Sequence, residues 1–208
     1  RYSEEAQGLS EAVEQLLNIN NSKARAKQLR SVLVRNITHE PQPRSDSDVV
    51  FLAAFPQAAR QIRPLLRFHR AEDVPVLATS HVYEGLANPQ ADQDLDGVMF
   101  ADMTWVLTPN EHSLPTQVRN LWPDASGALG RLYAFGADAY TLIARLRELR
   151  GNENGSYPGL TGKLSVDAQH SVRHDLLWTR FAQGVAQATA TTQEPDAWDA
   201  WAVKRGRR

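Results

Sequence analysis

The segment from Asp48 to Ser80 constrains the fold of this chain more than any other. It opens with the apolar run 49–54, which is too short for a typical helix and whose β-branched and aromatic residues favour a strand. A helical pattern follows over 58–70, and a second apolar run covers 76–80. Strand, helix and strand in this order predict a βαβ unit whose strands run parallel with a right-handed connection.

Details of this unit lead to further expectations. The first run is apolar at every position, which predicts a strand buried on both faces. Pro56 suits the first turn of the following helix, whereas Pro64 falls inside the helical pattern and is expected to kink it.

Helical and strand patterns continue on both sides of the unit. Two helices precede it, the second capped by Ser22. After it we predict a strand at 97–101, a short helix at 118–122, a long helix from Ser126 to Gly151, a strand at 160–166 and a returning strand at 172–181. The apolar side of the long helix is predicted at Leu129, Leu132, Gly136, Ala139, Ile143 and Leu146.

The carboxyl ends of the two parallel strands mark a candidate crevice, because ligands of open α/β sheets bind beyond those ends. Five residues lie there and are predicted to line it: Phe55, Gln57, Thr79, Ser80 and Tyr83. The pattern itself names no ligand.

Composition excludes several classes of function. The 208 residues carry a formal net charge of −1, so no global field attracts nucleic acid or an anionic membrane. No run of about 18 apolar residues is present, which excludes a membrane-spanning helix within this sequence. The chain has no cysteine, hence no disulfide and no lipidation site of its own.

Motifs for catalysis or metal binding are incomplete. Asp92, Asp94 and Asp96 copy the first half of a calcium loop, but Met103 stands where the bidentate glutamate belongs. Adjacent Ser80 and His81 would point to opposite sides of a strand, which separates nucleophile from base. We therefore predict no catalytic residue, no metal ligand and no cofactor.

Several segments resemble one bacterial protein family. They are DVVFLAAFPQAARQIRPLLRFHRAEDVPVLATSHVYEG at 48–85, DLDGVMFADMTWVL at 94–107, LYAFGADAY at 132–140, GLTGKLSVD at 159–167 and LLWTRF at 176–181. Together they resemble the LppC or LpoA family of outer-membrane lipoproteins, which activate penicillin-binding proteins. The resemblance covers about residues 1–184. GLTGKLS also resembles type I periplasmic solute-binding proteins in general.

The resemblance implies an architecture. The expected fold is α/β and three-layered, with a mostly parallel sheet flanked by helices, like a type I periplasmic binding protein. One lobe, about 1–97 with 156–184, would be largely complete, and 98–155 would cross to a partial second lobe. Residues 185–208, rich in Ala, Thr and Gln at their start, are expected to form a flexible tail.

The resemblance also implies a function. The chain would be a non-catalytic regulator of peptidoglycan synthesis that binds and activates a class A penicillin-binding protein, with peptidoglycan as a second candidate partner. It would act in the periplasm, attached to the outer membrane only through a lipid anchor upstream of this sequence. The alternative is a module that binds an amino acid or another small polar solute in the crevice.

Overall fold

The computed structural model describes residues 6–33, 38–108, 113–150 and 155–189 of the chain. The helices in this part are α1 (Ala6–Leu16), α2 (Ile19–Leu33), α3 (Pro56–Phe68), α4 (Pro89–Asp92), α5 (Thr104–Leu107), α6 (Leu114–Leu121) and α7 (Gly127–Arg150). The strands are β1 (Val50–Leu52), β2 (Val76–Ala78), β3 (Met99–Asp102), β4 (Ser156–Pro158), β5 (Lys163–Val166), β6 (Val172–Asp175), β7 (Leu177–Ala182) and β8 (Val185–Ala188).

The main sheet has the order β1-β2-β3-β7-β8. The predicted βαβ unit is present as β1, α3 and β2, and the pairs β1/β2 and β2/β3 are parallel. The pairs β3/β7 and β7/β8 are antiparallel. The α/β class is therefore confirmed. The expectation of a mostly parallel sheet is wrong, because the sheet is mixed. Its last two strands, β7 and β8, form a hairpin, and β7 follows directly from β6 of the second sheet rather than from a crossover helix.

The first strand is buried on one face, not on both as its apolarity predicted. Val50 and Leu52 are buried, whereas Phe51 between them is 69% exposed. The face of β1 that carries Phe51 is thus left open among the described residues, and β1 is also an edge strand that pairs with β2 alone in the main sheet. Continuous apolarity therefore does not mark a central strand here.

The second sheet is small and antiparallel, in the order β4-β5-β6. The predicted hairpin exists between β5 and β6. The returning strand expected at 172–181 is in fact two strands, β6 and β7, which lie in different sheets. The residues expected to begin the flexible tail, Val185–Ala188, form β8 against β7. Residues 190–208 lie outside the described part, so the rest of that expectation stays a prediction.

Helix α7 begins after Ser126, as predicted, while Gly151 lies outside the described residues. Its predicted apolar side is in the wrong place. Leu129, Leu132 and Ile143 are exposed, and the side that packs inward contains Gly130, Ala134, Asp138 and Leu149. Gly130, Ala134 and Asp138 have small or hydrogen-bonded side chains, which a hydrophobic pattern does not detect. They allow α7 to approach α5 and strand β5 of the small sheet.

Ser22 does not cap the second helix, because α2 already begins at Ile19. Its buried hydroxyl lies 3.3 Å from Nε2 of His39 and accepts a hydrogen bond from the backbone N–H of Gln42. Ser22 therefore fastens the loop that leads toward β1.

The core lies between the main sheet and its helices. Leu9, Val13 and Leu17 on one side of the amino-terminal region pack with Ile62 and Leu66 of α3. The predicted division at residue 97 passes beside β3, which occupies the centre of the main sheet. The two-lobe division itself stays a prediction.

Candidate functional site

A groove of about 800 Å³ lies at the carboxyl end of β1. Two predicted crevice residues, Phe55 and Thr79, line it. The remaining lining residues come largely from α1 and from β1 with the residues after it: Leu9, Ala12, Val13, Leu16, Val50, Phe51, Leu52, Ala53, Ala54, Ile62 and His81. The groove runs along β1 and past its carboxyl end, and α1 supplies one wall.

The other three predicted residues are not in the lining. Gln57 lies in the first turn of α3 with its side chain exposed. Ser80 begins a 3₁₀ turn over Ser80–Val82, and Tyr83 follows that turn. The ring of Tyr83 is buried against Phe100 and Phe181, so it packs in the core rather than facing a ligand.

The contribution of α1 was missed by sequence reasoning. Leu9, Val13 and Leu16 recur at helical spacing along α1, but Leu9 and Val13 are buried whereas Leu16 is 45% exposed, and all three line the groove. A periodic pattern identifies an apolar side but not the element it faces. His81 was likewise considered only as a catalytic base, whereas its ring packs edge-on against Phe55 with centroids 5.7 Å apart.

The chemistry of the groove is apolar. Among the described lining residues, Thr79 and His81 carry the polar side chains, and none is Asp, Glu, Lys or Arg. Such a lining favours a ligand or partner that buries aliphatic or aromatic surface in the groove. An amino acid with both charged ends would meet no charged side chain in this lining.

An ion pair between α7 and β3 holds the end of β3 beside the turn that follows β2. Asp102, at the end of β3, has no exposed surface and accepts from Nε of Arg131 at 3.0 Å, with a second, closer contact between Oδ2 and Nη2. The same Nη2 donates to the carbonyl oxygens of Ser80 and Tyr83. One guanidinium of α7 thereby ties β3 to the 3₁₀ turn after β2.

A second set of ion pairs explains part of the acidic loop. Asp92 is buried and accepts from Nη2 of Arg60 at 2.8 Å, while Glu84 lies 3.4 Å from Nη1 of the same arginine. The Asp96 carboxylate accepts from the backbone N–H groups of Gln183 and Gly184. Asp92 and Asp96 therefore hold α3, the loop and the β7–β8 turn together.

Within the described residues, no three His, Asp or Glu side chains are grouped so that they could hold a metal ion. Likewise, no helix in the described ranges is long and apolar enough to cross a bilayer.

A buried carboxylate also joins α7 to the small sheet. Asp138 accepts from the backbone N–H groups of Leu160 and Thr161 and from the Thr161 hydroxyl, at 2.6–2.9 Å. Gly159 makes this approach possible, since a Cβ there would lie 2.6 Å from Oδ2 of Asp138. The GLTG segment noted in the sequence is therefore the loop that receives α7.

Comparison with known proteins gives these features a family context. The family described as "LppC putative lipoprotein" matches residues 1–184. Penicillin-binding protein activator LpoA of Photobacterium profundum is 29% identical over 186 residues, which cover 86% of this chain and 30% of that protein. The Vibrio vulnificus protein of the same name is 29% identical over 178 residues, covering 85% of this chain and 29% of that protein.

Solved structures share the fold. Full-length LpoA from Haemophilus influenzae superposes with a TM-score of 0.60 at 26% identity, covering 70% of this chain and 27% of that one. The carboxyl-terminal domain of the same protein, a regulator of PBP1A, gives a TM-score of 0.59 at 23% identity over 79% of this chain and 49% of the domain. The chain thus spans about 30% of the length of the curated relatives it matches. With residues 1–184 matched by one family, this chain belongs to the LppC family.

Proposed function

We propose that this chain is part of a lipoprotein that binds a class A penicillin-binding protein and raises its peptidoglycan-synthesising activity. The observation that carries the proposal is the family match over residues 1–184, whose curated relatives are named penicillin-binding protein activators. Likeness to the H. influenzae domain that regulates PBP1A supports the same class of partner at the level of fold.

The proposed role is regulatory and non-catalytic. A protein of this kind activates an enzyme by binding its active conformation more tightly than its inactive one, which shifts the population toward the active form. The groove is apolar, and the buried carboxylates Asp102 and Asp92 outside it are paired with Arg131 and Arg60. The proposed location is the periplasmic side of the outer membrane, reached through a lipid anchor elsewhere in the protein.

The decisive experiment is a titration of the 208-residue chain against the periplasmic part of a class A penicillin-binding protein, with glycan polymerisation and peptide cross-linking rates measured in parallel. We expect saturable binding and a higher rate at saturation. Absence of binding, or binding without any change in either rate, would contradict the proposal for this chain.

A shortened chain provides a matched comparison. It should end after Thr189, because β8 pairs with β7 and the Thr189 backbone N–H and hydroxyl both donate to the carbonyl of Trp178. Equal activation by both chains assigns the effect to residues 1–189.

The second candidate function is binding of a small molecule in the groove. Its location beyond the end of a parallel strand favours this candidate, but the apolar lining points to an apolar molecule rather than to the polar solute first expected. Thermal unfolding in the presence of amino acids, muropeptides and short-chain fatty acids tests it. Stabilisation by the fatty acids alone would support an apolar ligand, and no shift with any of them would exclude these three classes.

A further inference from the structure

Three arginines lie close together, and none of them forms an ion pair with a carboxylate of the described residues. Arg63 and Arg67 are four residues apart on α3 and project from the same side of that helix, and Arg180 lies on β7. Arg60, one turn earlier, pairs with Asp92. In contrast, none of the ion pairs formed by the described residues includes Arg63, Arg67 or Arg180.

Arg63 is the buried member of this group. Its residue is 8% exposed, and its Nη1 has no hydrogen-bond partner among the described residues. Its Nε contacts the carbonyl oxygen of Asp96 at 3.5 Å, and Nη2 of Arg67 donates to that same oxygen at 3.0 Å. One backbone carbonyl oxygen thus accepts from both guanidinium groups, and the buried N–H groups on Nη1 of Arg63 are left without an acceptor among the described residues.

A groove of about 460 Å³ adjoins this cluster. Asp96, Gly97, Arg180 and Gln187 are among the residues that line it, whereas Arg63 and Arg67 are not. Gly97 has φ +90°, and a Cβ at this position would lie 3.4 Å from Nη2 of Arg63. Gly97 lines the groove, and the buried Arg63 guanidinium therefore lies directly behind this glycine.

The local charge is positive. Burial, together with the nearby Arg67 and Arg180, lowers the pKa of the Arg63 guanidinium, and Glu72 opposes that effect. Arginine nevertheless stays protonated at neutral pH. The Asp96 carboxylate already accepts from the backbone N–H groups of Gln183 and Gly184. The three arginines repel one another at this distance, so binding of an anion near them is electrostatically favourable.

We propose that the groove lined by Gly97 and Arg180 binds a small oxyanion, a phosphate or a carboxylate, with the Arg63 guanidinium directly behind Gly97. Guanidinium groups match both anions because their N–H donors form a planar fork that can bond two oxygens. The buried Nη1 of Arg63 would gain its missing acceptor through a small rearrangement of this side chain. This inference is independent of the proposed regulatory role, and either can fail alone.

The test is calorimetric titration of the 208-residue chain with sodium phosphate and, separately, with sodium acetate, at constant ionic strength set by chloride. Arg180→Gln is the principal variant, because the Arg180 side chain is exposed and its loss leaves the core intact. We expect the Kd of the better anion to rise about tenfold, the usual effect of losing one hydrogen bond to a charged group. Arg67→Gln should also weaken binding.

Arg147→Gln is the matched control, since Arg147 is an exposed arginine near the end of α7, away from the groove. Unchanged affinity in this variant supports a localised site, and the anion that binds more tightly identifies the ligand as phosphate or carboxylate. If neither phosphate nor acetate binds more tightly than chloride, the proposed site is overturned. Equal weakening by the 147 and 180 substitutions also overturns it, because it would reflect net charge alone.

Discussion

Asp102 has no solvent-exposed surface and depends on Arg131 for its charge balance. The two residues are 29 positions apart, and the same arginine also bonds two backbone carbonyls of the turn after β2. Removing one partner of a buried ion pair costs far more than the pair contributes, since the remaining charge is left without compensation.

We expect Arg131→Met to lower the free energy of unfolding by about 3–5 kcal/mol, because it strands the Asp102 carboxylate in the core. Urea denaturation followed by tryptophan fluorescence measures the change. Lys23→Met is the control: it removes an ion pair with Glu14 at the surface, which is worth under about 1 kcal/mol. Equal losses in the two variants would contradict a special role for the buried pair.

Tyr83 gives a pH-dependent prediction. Burial, followed by the nearby carboxylates Asp92 and Asp102, raises the pKa of its phenol, while Arg119 and Arg131 act in the opposite direction. Above about pH 10 the unfolded chain loses this proton while the folded chain keeps it, so stability falls as pH rises. Below that pH the contribution is fully present.

Tyr83→Phe should therefore flatten the loss of stability between about pH 10 and the raised pKa of the folded state. The measurement is urea denaturation at a series of alkaline pH values, together with phenolate absorbance at equilibrium. Tyr140→Phe, which alters an exposed phenol, should leave the curve unchanged. An identical alkaline slope in wild type and Tyr83→Phe would rule out this tyrosine as the cause.

Sequence reasoning could not reach these residue-scale contacts. Asp102 lies in the segment 94–107, which resembles the family, and Arg131 directly precedes the segment 132–140, which does so too. The local sequence around either residue does not indicate that their side chains are in contact. Tyr83 was placed correctly after a strand end, yet whether its ring turns inward depends on Phe100 and Phe181, which come from two other strands. Position along the chain was predictable, whereas side-chain direction was not.

At the scale of elements, local patterns located the helices and strands better than they located their contacts. The βαβ unit and the long helix α7 follow from apolar runs, helical spacing and a serine before the first turn. The mixed sheet could not be predicted, because the break between β6 and β7 has no turn signal as strong as Gly or Pro. Asp175 and Leu177 belong to different sheets although one residue separates them.

Two glycines show how differently one residue type is used in neighbouring elements. Gly162 has φ +139°, and a Cβ there would lie 2.2 Å from the carbonyl oxygen of Asp175. Gly136 is in the middle of α7, and among the described residues no atom outside its own helical turns comes within 4 Å of the place a Cβ would take. The first glycine is required by a close approach, and the second only weakens its helix.

We expect Gly162→Ala to destabilise the protein by about 2 kcal/mol or more through backbone strain and steric overlap. Gly136→Ala should instead stabilise it by about 0.5–1 kcal/mol, because alanine loses less conformational entropy in a helix. Thermal and urea denaturation of the two variants provide the comparison. Destabilisation by both would mean that the exposed face of α7 is closely covered.

At the scale of the whole molecule, the described surface carries an apolar area along α7. Leu132 and Ile143 are 65% and 76% exposed, and Trp122 stacks on Tyr133 nearby. Sequence patterning predicted Leu132 and Ile143 on the buried side of the helix. Amphipathic spacing alone does not distinguish a face that packs within this chain from one that remains open.

Leu132→Gln and Ile143→Gln should each change the free energy of unfolding by less than about 0.5 kcal/mol, as is usual for exposed positions. Leu149→Gln should cost about 2 kcal/mol or more, because Leu149 is 4% exposed on the same helix. Urea denaturation separates the two cases, and binding of a hydrophobic dye should fall in the first two variants. A large loss in either of these would place their side chains in the core.

The central position of β3 has a consequence for how the protein reaches its native state. Asp102 of β3 pairs with Leu177 of β7, so the middle of the main sheet is joined by two stretches of chain that are far apart in sequence. Such contacts carry a large loop-closure penalty and slow the search for the native topology. Until β7 pairs with β3, the backbone amide and carbonyl groups along one edge of β3 are unpaired and can bind another strand. Pairing of β7 with β3 is therefore the step that closes this edge of the sheet during folding.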